Sequence, residues 1–163
     1  MQLTIAQFIS SLHLAGQERV VVDLAKAFKE KGHRSLVCST KIGGELVKEL
    51  ESSDIYFHCL AMKNNYNPMS FIKVMRYLKD NRVDVVITHG NYRFISRASA
   101  ILAQVPAILH VEHNVSDYKK KYHVIANRSL TLFTDKIICI SENARRSLFQ
   151  VEKTRTDKVV VIP

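Results

Sequence analysis

Three apolar runs, at residues 83–89, 107–113 and 136–142, each end on a polar, chemically capable group. The segments VDVVITHG, AILHVEHN and KIICISEN are short, rich in Val and Ile, and separated by stretches with helical spacing. Parallel strands have this pattern when helices cover both faces of their sheet. In such sheets ligands bind just beyond the carboxyl ends of the strands. His89, His113 and the pair Ser141 and Glu142 are therefore expected along one edge, although they are far apart in the chain. The strand pattern implies a site before any motif is invoked.

Strands are expected over 2–9, 34–39, 55–60, 83–89, 107–113, 136–140 and 158–162, and helices over 17–31, 43–52, 68–79, 91–104, 115–133 and 142–151. In the first helix Val20, Val21, Leu24, Ala25 and Phe28 share one side, and Gly32 ends it, as glycine does past a helix C-terminus. Asn67 and Pro68 open the third helix as cap and first residue. Its apolar face is expected to run through Met69, Ile72, Met75 and Leu78, widened by Phe71 and Tyr77. Strands alternating with helices give an α/β class: a doubly wound, mostly parallel, Rossmann-like sheet in one domain over residues 1–163. A chain of this length buries enough surface for a core without staples.

Several functional classes drop out. No apolar run approaches the ~20 residues that span a bilayer. The opening MQLTIAQFISSLHLAG has no basic n-region, so a first strand is expected there rather than a signal peptide. Cys38, Cys59 and Cys139 are odd in number, form no CxxC pair and sit inside expected strands. They support neither a disulfide framework nor a zinc knuckle, and they point to buried thiols in a reducing, cytoplasmic setting. The sequons at Asn114 and Asn127 then carry no meaning. A net charge of +9 fits a solvated basic surface, an anionic substrate, an anionic membrane face or nucleic acid, and charge alone does not choose among them. There is no RNP-like or helix-turn-helix signature, so no specific nucleic-acid partner is expected.

Individual residues each carry two readings. Gly16 enters a helix whose first N–H groups can accept a phosphate, yet LAGQER holds one glycine and no G-x-G-x-x-G, and glycine also suits a plain turn. His110 and His113 stand three apart on a strand, so they face opposite sides and cannot easily clamp one metal ion. His110 is expected in the core and His113 at the strand end, where imidazole titrates near neutral pH. His89, Gly90 and Asn91 have the same placement after the preceding strand, with Tyr92 and Arg93 next; Asn91 also suits a helix cap. The run Tyr118, Lys119, Lys120, Lys121, Tyr122 is either a solvated face or a grip on a phosphate-bearing acceptor, anionic lipid or nucleic acid. Arg145 and Arg146 fall in the first turns of a helix near the same edge, where an arginine can meet a phosphate bidentately.

In order and spacing, AGQERVVVDLAKAFKEKGH, DVVITHG, VPAILHVEHN, DKIICISENARRSL and KVVVIP resemble the N-terminal half of family 4 glycosyltransferases of the GT-B fold. The resemblance implies retaining transfer of a sugar from a nucleotide sugar to a hydroxyl of a glycan or lipid-linked acceptor, with no cofactor and no obligatory metal. By this likeness Gly16 places its N–H near the donor phosphate and His113 contacts the transferred sugar at the reacting centre. His89, Asn91, Arg93, Ser141 and Arg145 belong to the acceptor side. Two positions depart from the family pattern: Ala15 stands for the usual first glycine and Gln17 for the usual alanine. The residues up to Pro163 correspond to the family's N-terminal half only, so this stretch by itself, without a donor-binding C-terminal domain, is expected to be inactive. Members acting on lipid-linked or polyanionic acceptors often work peripherally at the inner membrane face, for which 68–79 and the lysines 119–121 are candidate contacts, while the helix 68–79 equally suits packing on the sheet through its one apolar face. The rival reading is a stand-alone, non-catalytic ligand-binding domain of the same fold.

Overall fold

A computed structural model describes residues 1–62, 67–90, 93–113, 121–152 and 156–162. Strands β1 (Thr4–Ile9), β2 (Arg34–Ser39), β3 (Tyr56–Cys59), β4 (Val85–His89), β5 (Ala107–Glu112), β6 (Lys136–Cys139) and β7 (Val159–Val161) pair in parallel throughout. Helices α1 (Gly16–Glu30), α2 (Val47–Ser52), α3 (Pro68–Asp80), α4 (Arg93–Leu102), α5 (Lys121–Thr131) and α6 (Glu142–Ser147) alternate with them. The sheet order is β3-β2-β1-β4-β5-β6-β7. The chain therefore winds outward from β1 in one direction, then returns to β4 and winds outward in the other. The connections after β1 and β4 part at this switch point, which is where such sheets leave a crevice.

Alternate residues of each strand serve opposite faces. Ile9, Val37 and Ile55 pack with Val21, Val22 and Ala25 of α1 and Leu50 of α2 on one side. Ala6, Phe8, Leu36, Val86 and Ile108 pack with Val74 and Leu78 of α3 and Ile95 of α4 on the other. The doubly wound class expected from the sequence is the one observed. Two aspartates fasten the lower edge by the same device. Asp84, just before β4, accepts from the Thr4 N–H at 2.7 Å, and Asp135, just before β6, accepts from the Ile108 N–H at 2.7 Å.

Helix interiors depart from expectation in instructive ways. Val20 is 37% exposed while Val22 is buried, because α1 presents an i, i+3, i+4 arc centred on Val21, Val22 and Ala25. In α3 the fully buried line is Ser70, Val74 and Leu78, and Met69 is 59% exposed. Side chains tilt toward a helix N-terminus, so a first-turn methionine hangs past the layer it was expected to join. The cap itself is as expected: Asn67 Oδ1 accepts from the Met69 N–H at 3.0 Å and Pro68 opens the helix.

The second helix begins at Val47, not at residue 43. Leu12 N–H donates to the Gly43 carbonyl at 3.1 Å, and the Leu12 carbonyl accepts from Leu46 N–H at 3.0 Å. The Gly43 carbonyl and the Leu46 N–H are thus bonded to the loop after β1, and helical bonding starts only with the Leu46 carbonyl, which accepts from the Leu50 N–H at 3.3 Å. The last helix also ends early, at Ser147, and continues as a π-helical turn, Leu148–Glu152.

Candidate functional site at the carboxyl edge of the sheet

Register alone brings three polar side chains together. Gln7 of β1 is paired with Ile87 of β4, so His89 stands two residues further along on the same face. His89 is in turn paired with Val111 of β5, so His113 again stands two further. Gln7, His89 and His113 therefore form a diagonal across three neighbouring strands, rising toward the ligand-binding edge. The side chains touch. His89 Nε2 lies 3.1 Å from Gln7 Oε1, His89 Nδ1 lies 3.1 Å from His113 Nε2, and Gln7 Nε2 donates to the Val21 carbonyl of α1 at 3.1 Å. The two imidazole rings are 5.4 Å apart between centroids and tilted by 36°.

Burial grades along the diagonal. Gln7 is 0% and His89 1% exposed, while His113 is partly open. Burial pushes the His89 imidazole well below its usual range, and the nearby His113 and His110 push it the same way. Burial also lowers His113, against the upward pull of the Glu112 carboxylate. Both shifts favour the neutral imidazole, which offers one N–H donor and one bare, accepting nitrogen. His89, expected on the acceptor side, is buried in the structure, with its two nitrogens facing Gln7 and His113.

The opposite parity holds a different group. Thr88 is paired with His110, whose Nδ1 lies 3.0 Å from the Thr88 carbonyl and 2.9 Å from its hydroxyl. The His110 Nε2 faces Glu112 at 3.7 Å, with both residues buried. His110 is a core histidine on the far face from His113, as the spacing of three requires.

The other expected residues are placed around this centre. Gly16 is the first residue of α1, behind Ala15, which makes no side-chain cap. A Cβ added at Gly16 meets nothing within 4 Å, so that helix end is open. Gln17 reaches across the switch point: a Cβ built on Gly90, which has φ +65°, would lie 2.7 Å from Gln17 Nε2. Arg93 opens α4. Ser141 is the N-cap of α6, its hydroxyl accepting from the Ala144 N–H at 3.1 Å. Arg145 pairs with Glu142 at 3.1 Å and lies over the Phe149 ring at 5.5 Å. Asn91, Tyr92, Asn114, Tyr118, Lys119 and Lys120 lie outside the described residues. Ser141→Ala is expected to cost about 1 kcal/mol, the usual worth of such a cap, while Ser141→Asp keeps most of it. Thermal melting of the two variants checks this.

Gln7 was not among the residues expected at the site. Its signal was nonetheless present: it is a lone amide inside the apolar run TIAQFI of a strand buried on both faces.

Comparison with known proteins follows the same lines. The model of Glycosyltransferase Family 4 matches residues 14–163. A capsular polysaccharide biosynthesis glycosyltransferase, CapH of Staphylococcus aureus, is 23% identical over 158 residues, covering 92% of this chain and 44% of CapH. A glycosyltransferase structure from Rickettsia africae superposes with a TM-score of 0.81 at 27% identity, over 99% of this chain and 42% of that one. Anabaena HepE, solved in complex with UDP and glucose, gives 0.80 at 16% identity over 99% of this chain and 44% of that one. The chain thus spans less than half the length of the relatives it matches, and its sheet is that of one half of a GT-B architecture.

Proposed function

Since this chain belongs to Glycosyltransferase Family 4, we propose that it is the acceptor-binding half of a retaining glycosyltransferase. It would move a sugar from a nucleotide sugar to a hydroxyl of a glycan or lipid-linked acceptor, as part of polysaccharide assembly in the cytoplasm. The observation that carries this reading is the neutral, half-open His113 held by His89 beside the switch-point crevice. Imidazole in that state hydrogen-bonds a sugar hydroxyl without attracting the anionic leaving group. Gly16 would offer its N–H to the donor phosphate from the uncapped start of α1, where the helix dipole favours negative charge. Arg93, Arg145 and Ser141 would line the acceptor side. UDP or a related nucleotide on the donor is suggested by HepE, which binds UDP and glucose. No cofactor and no obligatory metal is invoked.

The test uses the protein expressed from its native gene, offered a panel of nucleotide sugars with isolated polysaccharide or lipid-linked precursors. Product that depends on one nucleotide sugar, with the anomeric configuration retained, is the expected result. His113→Ala should lower kcat/KM about tenfold, the worth of one hydrogen bond of ~1.4 kcal/mol. The 163-residue chain by itself should transfer nothing, because neutralisation of the departing diphosphate is assigned to a donor domain. Tight binding of an acceptor glycan with no transfer by the native gene product would instead favour a non-catalytic binding module. Gln17 favours that second reading, since its amide occupies space beside Gly90 that an alanine leaves free.

Among the described residues, no helix is long and apolar enough to cross a membrane. The outer side of α3 carries the exposed residues Met69, Lys73, Arg76 and Lys79, a basic stripe suited to peripheral contact with anionic lipid. The chain is expected to sediment with vesicles containing phosphatidylserine and to stay in solution with vesicles of phosphatidylcholine alone. Equal sedimentation with both would remove the membrane from the proposal.

A further inference from the structure

The Gln7–His89–His113 contacts have a direction, and the direction assigns protons. A backbone carbonyl only accepts, so the Gln7 group 3.1 Å from the Val21 carbonyl is its NH2 and its oxygen is turned to His89. That oxygen also only accepts, so His89 Nε2 carries the ring proton. A neutral imidazole has one N–H; His89 Nδ1 is therefore the bare nitrogen and accepts. Its partner 3.1 Å away, His113 Nε2, must then be the donor. This leaves His113 Nδ1 bare, with no hydrogen-bond partner among the described residues.

We propose that Gln7 is a positioning residue that sets the tautomers of His89 and His113, so that His113 meets its ligand through an unprotonated Nδ1. The chemical class of ligand group follows. A bare ring nitrogen accepts from a hydroxyl or an amide N–H, and it repels groups that only accept, such as phosphate and carboxylate oxygens. The open end of the relay thus selects a hydroxyl-bearing part of the substrate and rejects the charged part. The chain of bonds is set by backbone and strand positions, since Gln7 and His89 stand at fixed register, His113 follows directly on β5 and Val21 lies in α1. Mutating Gln7 removes the acceptor that holds the His89 proton on Nε2. His89 is then free to carry its proton on Nδ1, donate to His113 Nε2, and move the His113 proton to the ligand-facing nitrogen.

The proton assignment stands without the glycosyltransferase reading; only its use in sugar selection rests on that reading. The test is accordingly a spectrum without substrate. Long-range 1H–15N correlation on the labelled 163-residue chain at pH 7.5 distinguishes protonated from bare ring nitrogens, with His89→Gln and His113→Gln supplying the assignments. Both histidines are expected as Nε2–H tautomers, with an Overhauser contact from a slowly exchanging His89 Nε2–H to the Gln7 side chain. Gln7→Met, similar in size and without an amide, should shift His113 toward the Nδ1–H form. A wild-type His113 carrying its proton on Nδ1, or no contact between the His89 proton and Gln7, overturns the proposal with no variant needed. So does a folded Gln7→Met chain whose two tautomers match wild type.

Discussion

Gly44→Ala should lower stability by about 3 kcal/mol, the upper end of the cost of overpacking, and the melting temperature by roughly 6–12 °C for a chain of this size. A Cβ at residue 44 would stand 2.2 Å from the Leu12 oxygen, 2.3 Å from the Leu12 carbonyl carbon and 2.6 Å from the His13 nitrogen. All three are backbone atoms, so no side-chain rotation relieves the overlap. The two loops must separate, and in doing so they break the bonds from Leu12 N–H to Gly43 and from Leu46 N–H to Leu12. Leu12, which is 0% exposed, is unseated with them. Gly16→Ala is the control: its Cβ meets open space, and stability should stay within about 0.5 kcal/mol. A Gly44→Ala melting point within about 2 °C of wild type would mean that the loops part at little cost.

Acidification from pH 7 to pH 5 should destabilise the chain with a slope approaching 1.4 kcal/mol per pH unit from His89 alone, about the worth of one proton kept off the fold. The fold holds His89 neutral, chiefly by burial. Its stabilising contribution is complete above the unfolded value near 6.5. It is lost as pH falls below that value toward the folded one, because the unfolded chain takes up a proton that the folded chain refuses. His113 acts in the same sense but more weakly, since it is partly solvated and screened. Glu49 beside Lys26 and Arg19, and Asp54 beside Lys29, are held below the usual carboxylate range. Their contribution is lost only as pH falls below about 4, so the window from 7 to 5 belongs to the histidines. Urea unfolding at half-unit steps of pH measures the slope. His89→Gln, whose amide can still face Gln7 and His113, should flatten it; an unchanged slope would place the titrating group elsewhere.

The parts legible in the sequence were those encoded by short-range pattern. Apolar runs ending at His89 and His113 located the strand ends, and the period of two separated His113 from His110 before any coordinates. Asn67 with Pro68 marked a helix start for the same local reason. Three consecutive valines at 20–22 defeated the helical reading because any of them can fill the arc, and only contact with Ile9 and Val37 chooses Val21 and Val22. Gly44 was illegible in kind. The need for glycine there comes from Leu12, 32 residues earlier in the chain, and no local pattern encodes that approach. Gln7 was legible in principle, as an amide in an apolar strand. Its partners, however, lie 14 and 82 residues away, so its role appears only once β1 and β4 are neighbours.

The diagonal across β1, β4 and β5 makes the sheet a counting device. Insertion of one residue in β4 ahead of His89 would turn the imidazole to the face now held by Thr88, and the link between Gln7 and His113 would vanish with every loop intact. Lengthening a connection between strands leaves the count untouched. Homologues that diverge in acceptor should therefore differ in length between strands, while the spacing from Gln7 to the end of β1, and from the start of β4 to His89, stays constant.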